Sequence, residues 1–140
     1  MVTIKDRVRF VETDLMAVVH HTNYLRWFEM GRVAYLRACG IDLNELRAAG
    51  YLFPITDVSC SYKQSARFDD EYEVSTTLKE LTRVKLIFSY EVKRLSDGAL
   101  LVTGTSQNVF TGPKGTIVRL PENYFAGINA VYQEDKREEE

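Results

Sequence analysis

The apolar residues between Val58 and Val92 fall at every second position, and this period fixes most of what the chain can become. Val58, Cys60 and Tyr62 alternate with Ser59 and Ser61. Tyr72, Val74, Thr76 and Leu78 alternate with Glu73, Ser75, Thr77 and Lys79. Val84, Leu86, Phe88, Tyr90 and Val92 alternate with Lys85, Ser89, Glu91 and Lys93. Such runs are strands with one face on a core and one face toward water. Asp97-Gly98 signals a hairpin, and a fourth strand from about Leu100 to Thr111 ends at the turn Gly112-Pro113-Lys114-Gly115. Four strands joined by short turns must run antiparallel.

The segment before these runs has a different period. Val2, Ile4, Val8 and Phe10 alternate with polar residues as a first strand, broken once at Asp6. Then Tyr24, Phe28, Gly31, Tyr35 and Ala38 lie on one helical stripe, and Gly31 would let another backbone approach closely. Thr22 or Asn23 is suited to cap this helix, and Gly40 to end it. Asp42 and Glu45 have capping-box spacing at the start of a second, short helix that Gly50 ends. A last helix begins near Pro121, which suits a first turn, and contains Gly127, which weakens it. The order predicts an α+β domain: strand, long helix, short helix, then four antiparallel strands. One long helix cannot cover both faces of five strands. The uncovered face or an edge strand is therefore expected to pair with a second copy.

Composition narrows the function classes. The 140 residues carry a formal net charge of -2, which gives no basic field for nucleic acid. No apolar run reaches the length of a membrane span, and no leader-like segment opens the chain, so a cytoplasmic protein is expected. Cys39 and Cys60 form no CxxC pair and read as buried free thiols. Residues 1–133 read as a single domain, and residues 134–140, Glu-Asp-Lys-Arg-Glu-Glu-Glu, as a charged, disordered tail.

The chemistry concentrates between Phe10 and Glu29, in FVETDLMAVVHHTNYLRWFE. His20 and His21 are the only histidines, and adjacent side chains diverge, so no metal site is expected. No GxSxG, GxGxxG or phosphate-loop motif occurs. Asp14 follows a strand, where Asp is at home as a turn residue or cap. It also lies just upstream of a helix N-terminus, whose free N–H groups stabilise negative charge. A carboxylate beside a helix start suits acyl transfer: the amides can hold an anionic intermediate while the carboxylate attacks or activates water. Local chemistry leaves both readings open.

The stretch VRFVETDLMAVVHHTNYLRWFEMGR resembles the signature of hotdog-fold acyl-CoA thioesterases of the 4-hydroxybenzoyl-CoA thioesterase/YbgC type. VSCSYKQSARFDDEYEV and LKELTRVKLIFSYEV are similar to that family's later blocks, so the resemblance spans about residues 3 to 126. It implies a hotdog fold, a long central helix wrapped by a five-stranded antiparallel sheet. It further implies a homodimer or homotetramer with sites at the dimer interface. By resemblance, Asp14 is the catalytic carboxylate, as nucleophile or general base, and the His21 backbone amide is the oxyanion donor. Val19, His20, Tyr24, Phe53, Pro54 and Val58 shape or support the pocket, and Arg83 and Lys85 meet the CoA phosphates.

Two departures stand out: Ala17 replaces a usual Gly, and Ser65 a frequent Pro. Ala17 is expected to restrict the turn that Gly would permit. The expected activity is hydrolysis of an acyl-CoA or acyl-carrier-protein thioester to free thiol and acid. No cofactor is expected, CoA being part of the substrate. The alternative is a binding partner of acyl-CoA or acyl-carrier protein with little hydrolysis, because fold alone does not fix function.

Overall fold

A computed structural model describes residues 1–139. Strand β1 spans Val2–Arg7, helix α1 Thr22–Ala38, helix α2 Leu43–Ala48, strand β2 Ile55–Tyr62, β3 Glu71–Leu81, β4 Lys85–Arg94, β5 Leu100–Val109, and helix α3 Glu122–Glu139. The five strands form one sheet in the order β1-β3-β4-β5-β2, and every neighbouring pair is antiparallel. The first strand stops three residues short of its expected end. Val8 is still buried, but Phe10 turns outward in a short 3-10 turn, Phe10–Glu12.

Helix α1 lies on one face of the sheet, and three of its aromatic side chains land on aromatic rings of β3 and β4. Trp27 stacks on Tyr72 of β3 at 3.9 Å, Phe28 on Tyr90 of β4 at 4.4 Å, and Tyr35 meets Phe88 edge-on at 5.5 Å. These contacts bury large apolar areas and fix the helix in rotation as well as position. Gly31 has the contact role expected of it, but what closes on it is the Thr76 and Val74 side chains of β3 rather than a backbone. On β5, Gly104 leaves room for the Phe28 ring.

The two ends of α1 are finished differently. At the C-terminal end the Cys39 amide donates to the Tyr35 and Leu36 carbonyls, and the Ile41 amide to Leu36. Gly40, at φ +78°, makes the reversal that an L-residue resists. At the N-terminal end neither Thr22 nor Asn23 caps the helix as expected. His21 occupies the cap position without a side-chain cap bond. Asn23 instead donates its amide to the Glu12 carbonyl at 2.9 Å. Asp42 does cap α2, accepting from the Asn44 amide at 2.9 Å and from Glu45 at 3.3 Å. Pro121 stands just before α3 and gives its carbonyl to the Phe125 amide.

The charged tail expected over 134–140 is a correction: residues 134–139 form the last turns of α3, and Glu140 lies outside the described residues. Asp135 is buried and accepts a 2.7 Å hydrogen bond from the Tyr35 hydroxyl, one hundred residues upstream. Lys79 meets Glu139 at 2.9 Å. Gly127 is required rather than merely tolerated, because a Cβ there would strike the Cys39 carbonyl. No helix among the described residues is long and apolar enough to cross a membrane.

Candidate active site

The loop between β1 and α1 is built around Glu12. Its carbonyl accepts from the His20 amide at 2.8 Å and from Asn23, and its carboxylate from the Arg9 amide and the Trp27 indole, each at 2.8 Å. Thr13 bridges Val19, and between them residues 14–18 form a tight turn. Asp14 runs that turn. Its amide donates to the Val18 carbonyl, its carbonyl accepts from Ala17, and its Oδ1 accepts from the Met16 amide at 2.8 Å. Ala17 takes φ +62°, so it adopts the conformation Gly would favour, contrary to the expected restriction, and carries the strain of doing so.

Asp14 is therefore the turn residue that local chemistry suggests, and the turn also aims it. Asp14, Met16, Val18, Val19, His21, Tyr24, Tyr62, Lys63, Gln64 and Ser65 line one open cleft of about 220 Å³. Asp14 Oδ2 has no hydrogen-bond partner among the described residues. Nor does the His21 amide, at the end of α1 where the peptide dipoles are positive. Asp14, with one carboxylate oxygen unpartnered, and His21, at the start of α1, thus line the same cleft.

The opposite wall is held by two further anchors. The Ala66 amide donates to the Tyr24 hydroxyl at 3.0 Å, and the Ala66 carbonyl accepts from Val19 at 2.8 Å. Burial pushes the Tyr24 phenol above its ordinary value, against the lowering pull of the Ala66 amide, so Tyr24 stays protonated. Arg94 of β4 donates to the Ser65 carbonyl at 2.8 Å while pairing with Asp70 at 3.1 Å and Asp97 at 2.9 Å. That guanidinium fixes the segment from Ser65 to Asp70 against the cleft. Tyr62 reaches the His21 carbonyl at 3.4 Å and packs edge-on to its ring.

Of the residues expected at the site, Asp14, Val19, His21 and Tyr24 line this cleft. His20 does not: its Nδ1 is tied to the Thr22 hydroxyl at 2.8 Å and faces the Thr22 amide at 3.3 Å. Within one chain Phe53 and Pro54 line a separate groove of about 560 Å³, with Tyr51, Leu52 and Thr111. Val58 is 44% exposed on the uncovered part of β2. Arg83 is an anchor for α3, donating to the Leu120 carbonyl and Glu122 and lying over the Phe125 ring, while Lys85 pairs with Glu80. Register puts Lys85 opposite Val109, and Val92 opposite Val102 and hence Tyr62. Seven residues of strand, roughly 23 Å, separate that basic end from the cleft. Tyr62, Lys63, Gln64, Ser65 and Arg94 were not expected. Tyr62 alone had a signal, as the last inward residue of its strand.

The comparisons with known proteins bear on this geometry. The family model of the thioesterase-like superfamily matches residues 8–126. The chain belongs to the thioesterase-like superfamily. A hypothetical protein from Aquifex aeolicus, 30% identical, superposes with a TM-score of 0.85 over 91% of this chain and 99% of its own. The DHNA-CoA thioesterase from Staphylococcus aureus, 25% identical, superposes at 0.90 over 99% of this chain and 94% of its own. The 4-hydroxybenzoyl-CoA thioesterase of Pseudomonas sp. (strain CBS-3) is 25% identical over 88% of this chain and 94% of its own length. The sheet and helix are thus a hotdog fold, and this thioesterase-like chain is a thioester hydrolase.

Proposed function

We propose that this thioesterase-like protein hydrolyses acyl-CoA thioesters, with Asp14 and the His21 amide acting on one carbonyl. The observation that carries the reading is the shared cleft: a carboxylate oxygen without a partner faces the same space as the open end of α1. The thioester oxygen accepts from the His21 amide, which polarises the carbonyl and holds the negative charge that develops on it. Asp14 then either attacks the carbonyl carbon to form a mixed anhydride or takes a proton from an attacking water. In both routes the C–S bond breaks, the thiolate leaves and gains a proton, and water supplies the oxygen and proton of the acid product.

The second half of the reading concerns β2. Among the described residues it pairs only with β5, so its other edge carries unpaired backbone groups. Val58 and Tyr62 share the α1 side of the sheet with their register partners Ser106 and Val102, yet α1 leaves them 44% and 49% exposed. A second copy pairing antiparallel along this edge would place the Ile55 end of one β2 beside the Tyr62 end of the other. The Phe53–Pro54 groove of one copy would then adjoin the Asp14 cleft of the other. In this arrangement Phe53 and Pro54 serve the site across the dimer.

The test is free-thiol release from a panel of acyl-CoA esters by wild type and Asp14→Asn, with circular dichroism on both. Turnover of one acyl class, lost in a folded Asn variant, is the expected result. A folded wild type that binds CoA esters and hydrolyses none, or an Asn variant as fast as wild type, would overturn the mechanism.

A further inference from the structure

Arg32 on α1 is the only Lys or Arg buried among the described residues, at 8% exposure. A guanidinium does not escape burial by shedding its charge, so a buried one needs a partner. Arg94, less buried, has a full set in Asp70, Asp97 and the Ser65 carbonyl. Arg32 has one neutral partner. Its Nη1 donates to the Tyr90 hydroxyl at 3.2 Å, and that oxygen shares a hydrogen bond with the Ser106 hydroxyl. Its Nε is buried with no partner, and no carboxylate among the described residues forms an ion pair with it. Thr76 Oγ1 and Asn108 Oδ1 are also buried without a partner, but neither carries a charge.

Strand register places this cation relative to the cleft. Ser106 lies opposite Val58 of β2, and Val58, Cys60 and Tyr62 alternate on the α1 side of that strand. Val58 and Tyr62 stay 44% and 49% exposed there. The row forms an open apolar strip. Tyr62 borders the Asp14 cleft at one end, and Val58 lies one strand away from the Arg32–Tyr90–Ser106 cluster at the other. Four strand residues make the strip about 13 Å long. Edge pairing of a second copy along β2 engages backbone groups in the sheet plane and leaves these side chains facing α1.

The chemistry of the two ends names the ligand. Nε and Nη2 make the edge of a guanidinium that grips a carboxylate through two parallel hydrogen bonds. Between that edge and the cleft, the strip suits methylene groups. Extended chain covers about 1.2 Å per bond, so the strip takes an acyl chain of about ten carbons. We propose that Arg32 selects acyl groups that end in a carboxylate, the monothioesters of dicarboxylic acids about ten carbons long. The proposal rests on the acyl-CoA reading of the cleft. The thioester sits at Asp14 and the far carboxylate at Arg32, where it supplies the charge that the chain itself does not. An acyl chain ending in a methyl group leaves Nε unpartnered, and buried donors left unpaired discriminate strongly. Arg32 is thus a specificity residue and takes no part in breaking the C–S bond.

The experiment compares decanoyl-CoA with decanedioyl-CoA, which carries a carboxylate in place of the terminal methyl group. Hydrolysis is measured on wild type and Arg32→Met, with circular dichroism and sedimentation equilibrium on both. Wild type is expected to favour decanedioyl-CoA in kcat/KM by at least about tenfold, chiefly through KM. Arg32→Met should lose that preference while keeping decanoyl-CoA turnover and the wild-type assembly. Should Arg32→Met not fold, Arg32→Lys keeps the charge without the two-pronged edge, and the preference should shrink. Equal use of both esters by wild type, or a preference that survives substitution, would overturn the proposal. Loss of assembly together with turnover of both esters would assign Arg32 to a contact between copies and overturn it too. If wild type hydrolyses neither ester, the reading of the cleft fails, and calorimetry with decanedioate decides the Arg32 site by itself. Binding that Arg32→Met weakens at least about tenfold would support the site, and absent or unweakened binding would overturn it.

Discussion

The two ends of α1 have the same backbone chemistry and opposite fates. At the C-terminal end the chain spends its own groups on closure: Gly40 reverses, Cys39 and Ile41 bond back, and Gly127 of α3 sits against the Cys39 carbonyl. At the N-terminal end His21 holds the cap position without a side-chain cap bond, and His21 lines a cleft. A helix end closed by the protein stabilises; an amide left without a protein partner is open to water or to a ligand. The difference separates residues that should affect folding from residues that should affect turnover.

The sharpest break is at the open end. Asp14→Asn is expected to lower kcat by about 1,000-fold, the scale of lost acid–base chemistry, while leaving the thermal midpoint near that of wild type. Gly127→Ala should do the reverse at the closed end. Its Cβ meets the Cys39 carbonyl, a backbone atom that cannot swing aside. That overpacking should cost about 1–3 kcal/mol in urea unfolding, partly offset by helix propensity, with kcat per folded molecule unchanged.

Tyr35→Phe removes the hydroxyl that Asp135 accepts, and the buried carboxylate loses a partner. A loss of about 1–3 kcal/mol is expected, again without a change in kcat. Cys39 gives the closed end a pH signature. Burial pushes its thiol from 9.0 up to about 12. The native state thus holds that proton more tightly than the unfolded chain. Its contribution is complete below pH 9 and declines as pH rises from 9 toward 12. The midpoint should fall over that window, and iodoacetamide at pH 8 should reach Cys39 only through unfolding.

The smallest effect belongs to Ala17. Glycine relieves the left-handed strain but frees the unfolded chain, so Ala17→Gly should stabilise by about 0.5 kcal/mol or less. Because Ala17 already adopts the turn, KM for the preferred acyl-CoA should stay within about twofold, a ratio worth about 0.4 kcal/mol.

How much of this was legible along the chain depended on the range of the cause. The strands showed because alternation is local, and α1 because its stripe is. Asp14 showed as a turn residue from its neighbours, and as a candidate carboxylate from the motif around it. The last turns of α3 did not show. Glu134 to Glu139 look like a solvated run until Tyr35, far upstream, supplies a hydroxyl for Asp135. Phe10 failed for the opposite reason: its alternation continued the strand, but β1 had already lost its partner at Glu71. Arg83 has the charge for a phosphate, but its guanidinium is occupied by Leu120 and Glu122. Residue type was readable; occupancy was not. Arg94 carried no signal, since its work lies in a carbonyl twenty-nine positions away.

That clamp also sets an order of events during synthesis. Asp14 leaves the ribosome early, with the start of α1 close behind. The wall it faces is held through Ser65 and Ala66, and Ser65 is itself held by Arg94 on the fourth strand. A nascent chain stopped before that strand would display the carboxylate with no fixed wall opposite it. The cleft proposed for hydrolysis is thus incomplete until most of the sheet exists, and a half-made chain with Asp14 in that role would not turn over thioesters.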